Sequence, residues 1–168
     1  YSEAIEAFSI AIDKNPQYAY AYNNRGVAYH KLHDYSKAIS DLNQAITLDS
    51  NYAAAYVARG YCYGQIKEYI NSISDFNKAI SLNSRSALAY SGRGFAYYNI
   101  EDYERAISDF NKAISLDSSD AKSFYGRGLA YSNLQHYQEA LRDFQKALAI
   151  NPQLEAAREN IDIIRKAM

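Results

Sequence analysis

The sequence predicts an all-α fold in which antiparallel helix pairs stack into a solenoid. Three observations predict it. The dipeptide Arg-Gly recurs at Arg25-Gly26, Arg59-Gly60, Arg93-Gly94 and Arg127-Gly128, each 34 residues after the last. Apolar residues keep fixed distances from each glycine. Tyr29, Tyr63, Tyr97 and Tyr131 come three later, and Ala38, Ala106 and Ala140 come twelve later, with Ser72 in the second unit. Leu42, Phe76, Phe110 and Phe144 come sixteen later, and Ala45, Ala79, Ala113 and Ala147 come nineteen later. Each unit also holds two stretches of helical periodicity, and no segment reads as a strand bounded by hairpin turns. A repeat of this length marks an array of small units that bury their apolar faces on one another.

The elements follow in order. Residues 1–18 carry Ala4, Phe8, Ala11 and Pro16 at the spacing of a second helix and its turn. The first complete unit, 19–52, predicts helices over roughly 19–32 and 35–48, and the units 53–86, 87–120 and 121–154 repeat the pattern. Polar tetrads end the units: Asp49-Ser50-Asn51-Tyr52, Asn83-Ser84-Arg85-Ser86, Asp117-Ser118-Ser119-Asp120 and Asn151-Pro152-Gln153-Leu154. Their serine, asparagine, aspartate and proline are turn and helix-start residues. Residues 155–168 read as a closing helix in which Asp162 stands where a packing glycine would be. The glycines and the alanines Ala38, Ala45, Ala79, Ala106, Ala113, Ala140 and Ala147 are expected to face each other across each helix pair, letting the helices approach closely. Each arginine before a glycine has an aspartate sixteen residues on: Asp41, Asp75, Asp109 and Asp143. That spacing predicts a ladder of arginine–aspartate pairs.

The period, with the constellation Tyr22, Gly26, Tyr29, Ala38, Leu42 and Ala45, resembles the tetratricopeptide repeat family. The resemblance covers the four complete units, with a half unit at each end, as a single array over 1–168. It implies an α-α superhelix, right-handed, whose first helices line a concave face where partner peptides lie. Carried over place by place, the groove of the first unit is expected at Tyr20, Asn23, Val27, His30 and Lys31. The second unit adds Ala54, Val57, Tyr61, Gly64 and Gln65. The third adds Leu88, Ser91, Phe95, Tyr98 and Asn99, and the fourth Lys122, Tyr125, Leu129, Ser132 and Asn133. These residues differ between units while the packing residues recur, as expected of a recognition surface. Aromatic and aliphatic anchors stand among the amides of Asn23, Gln65, Asn99 and Asn133, a chemistry suited to gripping a peptide.

The resemblance also implies what the partner is not. Chaperone co-factors of this fold grip a C-terminal carboxylate with basic and amide residues from three successive first helices. Reading those places from the first unit gives Asn23, Val27, Ala58, Leu88 and Gly92. Reading from the second gives Val57, Tyr61, Gly92, Lys122 and Gly126. Only Lys122 matches, so a chaperone tail is not the expected partner.

Composition excludes other classes. Apolar residues make up 48% of the chain, enough for a packed core, and the formal net charge is −1. That charge does not suit duplex nucleic acid. No apolar run is long enough to span a bilayer. Cys62, the sole cysteine, excludes an internal disulfide and fits a reducing, cytoplasmic location. His30, His33 and His136 are scattered, and the glycines lie inside helices rather than in a phosphate-cradling loop. No catalytic residue, metal ligand or cofactor is therefore expected, and the function predicted is a protein-interaction scaffold. Two other readings stay open: a self-assembling segment, since the 1–14 helix lacks its own first helix, and an RNA-binding solenoid of helical hairpins. The chain opens Tyr1-Ser2-Glu3-Ala4 and reads as a piece of a longer protein, so the absence of a targeting signal carries no information.

Overall fold

The computed structural model describes residues 1–167. It is all-α, the class the sequence predicts, with ten helices: α1 Ser2–Lys14, α2 Ala19–Lys31, α3 Tyr35–Leu48, α4 Ala53–Gln65, α5 Tyr69–Leu82, α6 Ala87–Asn99, α7 Tyr103–Leu116, α8 Ala121–Asn133, α9 Tyr137–Ile150 and α10 Glu155–Ala167. There are no strands among the described residues. The helices form two compact units, Tyr1–Ser84 with α1–α5 and Arg85–Met168 with α6–α10. In the first unit each helix packs on the next, and α2 also lies against α4. The second unit repeats this with α6 to α10, and α6 lies against α8.

The cores explain why one hairpin is not stable alone. In the first unit Ala38, Leu42 and Ala45 of α3 cluster with Ala55 and Cys62 of α4. In the second, Ala140 and Phe144 of α9 cluster with Ala157, Ile161 and Ile164 of α10. Within a unit the apolar stripe of a second helix is thus buried on the helix that follows, α3 on α4 and α9 on α10. The seven recurring alanines are all fully buried. Each of the four recurring glycines meets the bulky residue sixteen later, and Gly26 also meets the Ala38 backbone. A methyl added to Gly94 would lie 2.9 Å from Phe110, and one on Gly128 would lie 2.7 Å from Phe144. The second repeat's exception to the alanine pattern has its own reason: the buried Ser72 hydroxyl of α5 donates to the Gly60 carbonyl at 2.8 Å, so burial leaves no orphan.

The turns within each hairpin share one geometry. His33, Lys67, Glu101 and Gln135 all adopt the left-handed conformation, with φ of 60–63°. The next residue's N–H returns to the tyrosine carbonyl five back: Asp34 to Tyr29, Glu68 to Tyr63, Asp102 to Tyr97 and His136 to Tyr131, at 2.9–3.0 Å. A second bond runs from each left-handed residue to the carbonyl three back, as His33 to His30 at 3.0 Å. This pair of bonds ends a helix by a left-handed cap. Asp34 and Asp102 then open the following helix by accepting from the backbone N–H of Lys37 and Arg105. Between repeats, the first tetrad residue closes a turn with its side chain, whether or not proline follows. Asp49 accepts from Asn51 N–H, Asp117 from Ser119 N–H and Asn151 from Gln153 N–H, at 2.9–3.1 Å.

None of the four left-handed residues is glycine, and a side chain there costs on the order of 1 kcal/mol. Glu101→Gly is expected to raise stability by about 1 kcal/mol, and Glu101→Val to lower it. Thermal unfolding followed by circular dichroism measures both.

Candidate functional site

The first helices carry two faces that must be separated. One face holds the arginines. Arg59 Nε and Nη2 donate to the two carboxylate oxygens of Asp75 at 2.8 and 2.7 Å. Arg25 makes the same fork with Asp41, Arg93 with Asp109 and Arg127 with Asp143. The sixteen-residue spacing is therefore a ladder of bidentate pairs between α2 and α3, α4 and α5, α6 and α7, and α8 and α9. The third nitrogen reaches back to the preceding repeat. Arg25 Nη1 donates to Ser9 Oγ at 3.0 Å, Arg59 Nη1 to Asn43 Oδ1 at 2.6 Å and Arg127 Nη1 to Asn111 Oδ1 at 2.6 Å. Aromatic rings flank the guanidinium, Tyr56 and Tyr63 around Arg59 with centroids at 5.6 and 5.8 Å. The hydrogen bond to aspartate, opposed by burial, raises each arginine's pKa. These four cations are held within the fold and are not offered to a ligand.

The opposite face of each first helix is open. At 100° per residue, Tyr20, Val27 and Lys31 share the side of α2 turned away from Arg25 and Tyr29. Tyr20 and Lys31 are exposed and Val27 is half-buried. On α4 the same places are Ala54, Tyr61 and Gln65; on α6 Leu88, Phe95 and Asn99; on α8 Lys122, Leu129 and Asn133. Leu88 is 63% exposed and Tyr20 52%. The rings stand on the core. Tyr61 meets Phe76 edge-on at 5.2 Å, and Phe95 meets Phe110 at 4.9 Å. Gly126 of α8 leaves room for Phe95 and Phe110, since a Cβ there would strike both. Such an aromatic floor is braced by packing rather than free to collapse.

The amides are oriented by their own helices. Asn99 Nδ2 donates to the Phe95 carbonyl at 2.7 Å, and Asn133 Nδ2 to the Leu129 carbonyl at 2.9 Å and to the Tyr98 hydroxyl at 3.2 Å. Both residues are exposed, so their amides are held by the helix at Nδ2 while remaining open to solvent. The Gln65 Oε1 accepts from Tyr35 at 3.5 Å.

Several residues in the fifth and twelfth places do not join the open face: Asn23 and Ser91 are buried, and Ser91, Tyr98 and Tyr125 meet the helix of the next repeat within their unit. Asn23 is only 6% exposed and Ser91 4%. Ser91 contacts Asp120 and Ser123 of the next repeat at 3.4 and 3.0 Å. The Tyr125 hydroxyl accepts from Asn160 of α10 at 3.5 Å, and Tyr98 pairs with Asn133 as above. Val57 is half-buried. Asn23 and Ser91 thus differ from the sequence expectation, which places them on the groove. The reason is the stacking angle: a residue in the fifth place points at the neighbouring helix, not out of the array. The Asn43 and Asn111 links stand outside the sequence expectations, although asparagine recurs seventeen residues after each of the first three glycines.

Two other groups are defined by burial. Cys62 is fully buried, and desolvation pushes its thiol up to about 12, so it is not a thiolate nucleophile at neutral pH. His30 Nε2 is buried without a partner, beside the Tyr35 ring at 5.6 Å. Burial, then Lys31 and His33, lowers its pKa. Among the described residues no three His, Cys, Asp or Glu side chains converge on a metal position, and no helix is long and apolar enough to cross a membrane.

The family model described as Tetratricopeptide repeat matches residues 19–52, 87–120 and 121–154. A second model of that description matches 53–86, and one described as TPR repeat matches 1–33. No curated protein sequence matches the chain. Among solved structures, a crystal structure of MamA superposes with a TM-score of 0.78 at 28% identity, covering 89% of this chain and 87% of that one. The first TPR of Spaghetti (RPAP3), bound to the HSP90 peptide SRMEEVD, gives 0.68 at 27% identity over 71% of this chain and 94% of that one. TTC0263, a thermophilic TPR protein of Thermus thermophilus, shares the fold at a TM-score of 0.79 and 19% identity, covering 95% of this chain and 88% of that one.

Two outcomes follow from the geometry. Asp75→Ala leaves a half-buried guanidinium without its partner and is expected to cost about 3 kcal/mol. The cycle with Arg59→Ala is expected to show coupling of at least about 1 kcal/mol by urea unfolding. His30 binds its proton less readily folded than unfolded, so its contribution is complete above the unfolded value of 6.5 and is lost as pH falls below it. His30→Gln is therefore expected to flatten the fall in the urea midpoint between about pH 7 and pH 5.

Proposed function

The chain belongs to the tetratricopeptide repeat family, a fold of protein-interaction scaffolds, and from that premise we propose that its open first-helix face binds a peptide segment of a partner protein. The proposal takes residues 1–168 as one array, non-catalytic, with recognition carried by the second, ninth and thirteenth places of each repeat. One observation supports it most. Those places hold Tyr20, Val27 and Lys31, then Ala54, Tyr61 and Gln65, then Leu88, Phe95 and Asn99, then Lys122, Leu129 and Asn133. The packing glycines and the arginine–aspartate pairs behind them do not change. A surface kept constant where it builds the fold and varied where it is open is what selective binding requires. The large exposed apolar groups Tyr20 and Leu88 supply anchors, and the exposed amides of Asn99 and Asn133 bond the peptide backbone. Tyr98, Tyr125, Asn23 and Ser91 act from within their units, setting the spacing of the helices that carry the anchors, and Val57 stands half-buried on α4.

A self-assembling segment is the second reading. Phe8 of α1 is only half-buried, while its counterparts Leu42, Phe76, Phe110 and Phe144 are at most 1% exposed. Opposing it, α10 presents Glu155, Arg158, Glu159, Asp162 and Arg165 to solvent, a poor mate for that apolar face. Light scattering separates the two readings.

Short peptides selected from a displayed random library are expected to bind the chain and to weaken about tenfold or more against Leu88→Ala with Leu129→Ala. Binding to Lys78→Ala on α5 stays unchanged. Equal loss from both faces, or loss of helicity in step with binding, rejects the assignment.

A further inference from the structure

The acidic residues are unevenly distributed. All 19 Asp and Glu lie outside α2, α4, α6 and α8. They sit on the second helices, in the turns and on α10. Exposure does not forbid acids there, because Tyr20, Lys31, Ala54, Gln65, Leu88, Asn99, Lys122 and Asn133 are all exposed.

The cations on these helices narrow the meaning. Arg25, Arg59, Arg93 and Arg127 are neutralised by aspartates of the second helices. What remains is Lys31 on the open face of the first unit and Lys122 on that of the second. Both are exposed. On each unit the open face of the first helices is therefore weakly positive, otherwise apolar or neutral, and carries no acidic residue of those helices. Glu159 of α10, beside Tyr125, marks where this character ends.

We propose that the occupant of this face is an acidic segment from within a partner chain, with aspartates or glutamates flanking aromatic or aliphatic anchors. The inference rests on the peptide-binding reading above and names its ligand class. The one lysine on each unit's open face draws negative charge to that unit but does not encircle a chain-terminal carboxylate. The segment is thus internal, and its carboxylates act chiefly on encounter rate and selectivity. Two lysines are also too few for the phosphate contacts that hold a nucleic acid strand.

The test uses the whole chain with short synthetic peptides, acetylated and amidated at their ends. All carry the same leucine and phenylalanine anchors, with glutamate, serine or lysine as spacers. The glutamate series is expected to bind about fivefold more tightly per engaged lysine than the serine series. The lysine series is expected to be weakest. The difference shrinks as salt is raised beyond about 0.1 M, and Lys31→Glu with Lys122→Glu removes it at unchanged helicity. Equal binding of the glutamate and serine series overturns this inference and leaves the peptide-binding reading standing. Binding of an oligouridylate strand in place of the peptides, or of no peptide in any series, overturns both.

Discussion

The close approach of each first helix to its second rests on a missing side chain. Gly26 lies under Leu42, Gly94 under Phe110 and Gly128 under Phe144, where a methyl group would force a shift, and Gly60 lies under Phe76, where a methyl would be a tight fit at 3.1 Å. With the glycine at the contact, the bulky residue fills the space between the helices instead of holding them apart. The preceding arginine is then carried to its aspartate on the second helix, close enough for two parallel hydrogen bonds. The same approach leaves the apolar stripe of the second helix available to the next repeat, through contacts such as Ala45 with Ala55 and Cys62. Every other regularity of the chain is arranged around this spacing.

Much of this is legible in the sequence because the constraint repeats. One glycine in a helix says little, whereas four at a constant interval, each with a large apolar residue sixteen later, state a contact. The arginine–aspartate pairs are legible for the same reason. The left-handed residues are not. His33, Lys67, Glu101 and Gln135 share a position but no chemistry, and none is the glycine or asparagine that announces such a turn. Their conformation is imposed by the bonds that close the helix rather than by the residue itself. The fate of Asn23 and Ser91 is also hidden, because burial in a seam depends on the angle between neighbouring helices. Ser91 gains partners in Asp120 and Ser123, whereas the matching places near Asn23 are Tyr52 and Ala55, and its Oδ1 is left without one.

The separation of faces has a chemical result. By pairing every first-helix arginine internally, the fold keeps its strongest cations away from the open surface. Recognition there falls to rings, aliphatic groups, amide oxygens and two lysines. Such a surface discriminates by shape and by modest charge preference. The rings are held from beneath by core phenylalanines, so little ordering remains to be done when a ligand arrives.

The arginines have one further consequence. Arg25 spans from Ser9 of the preceding repeat to Asp41, Arg59 from Asn43 to Asp75, and Arg127 from Asn111 to Asp143. Opening one repeat therefore strips a hydrogen bond from the guanidinium of its successor and exposes the apolar stripe behind it. Fraying at one hairpin raises the free energy of the adjoining one, so the hairpins within each compact unit melt together rather than peeling away singly. Amide-exchange protection is accordingly shared between the hairpins of a unit instead of graded from its edge inward.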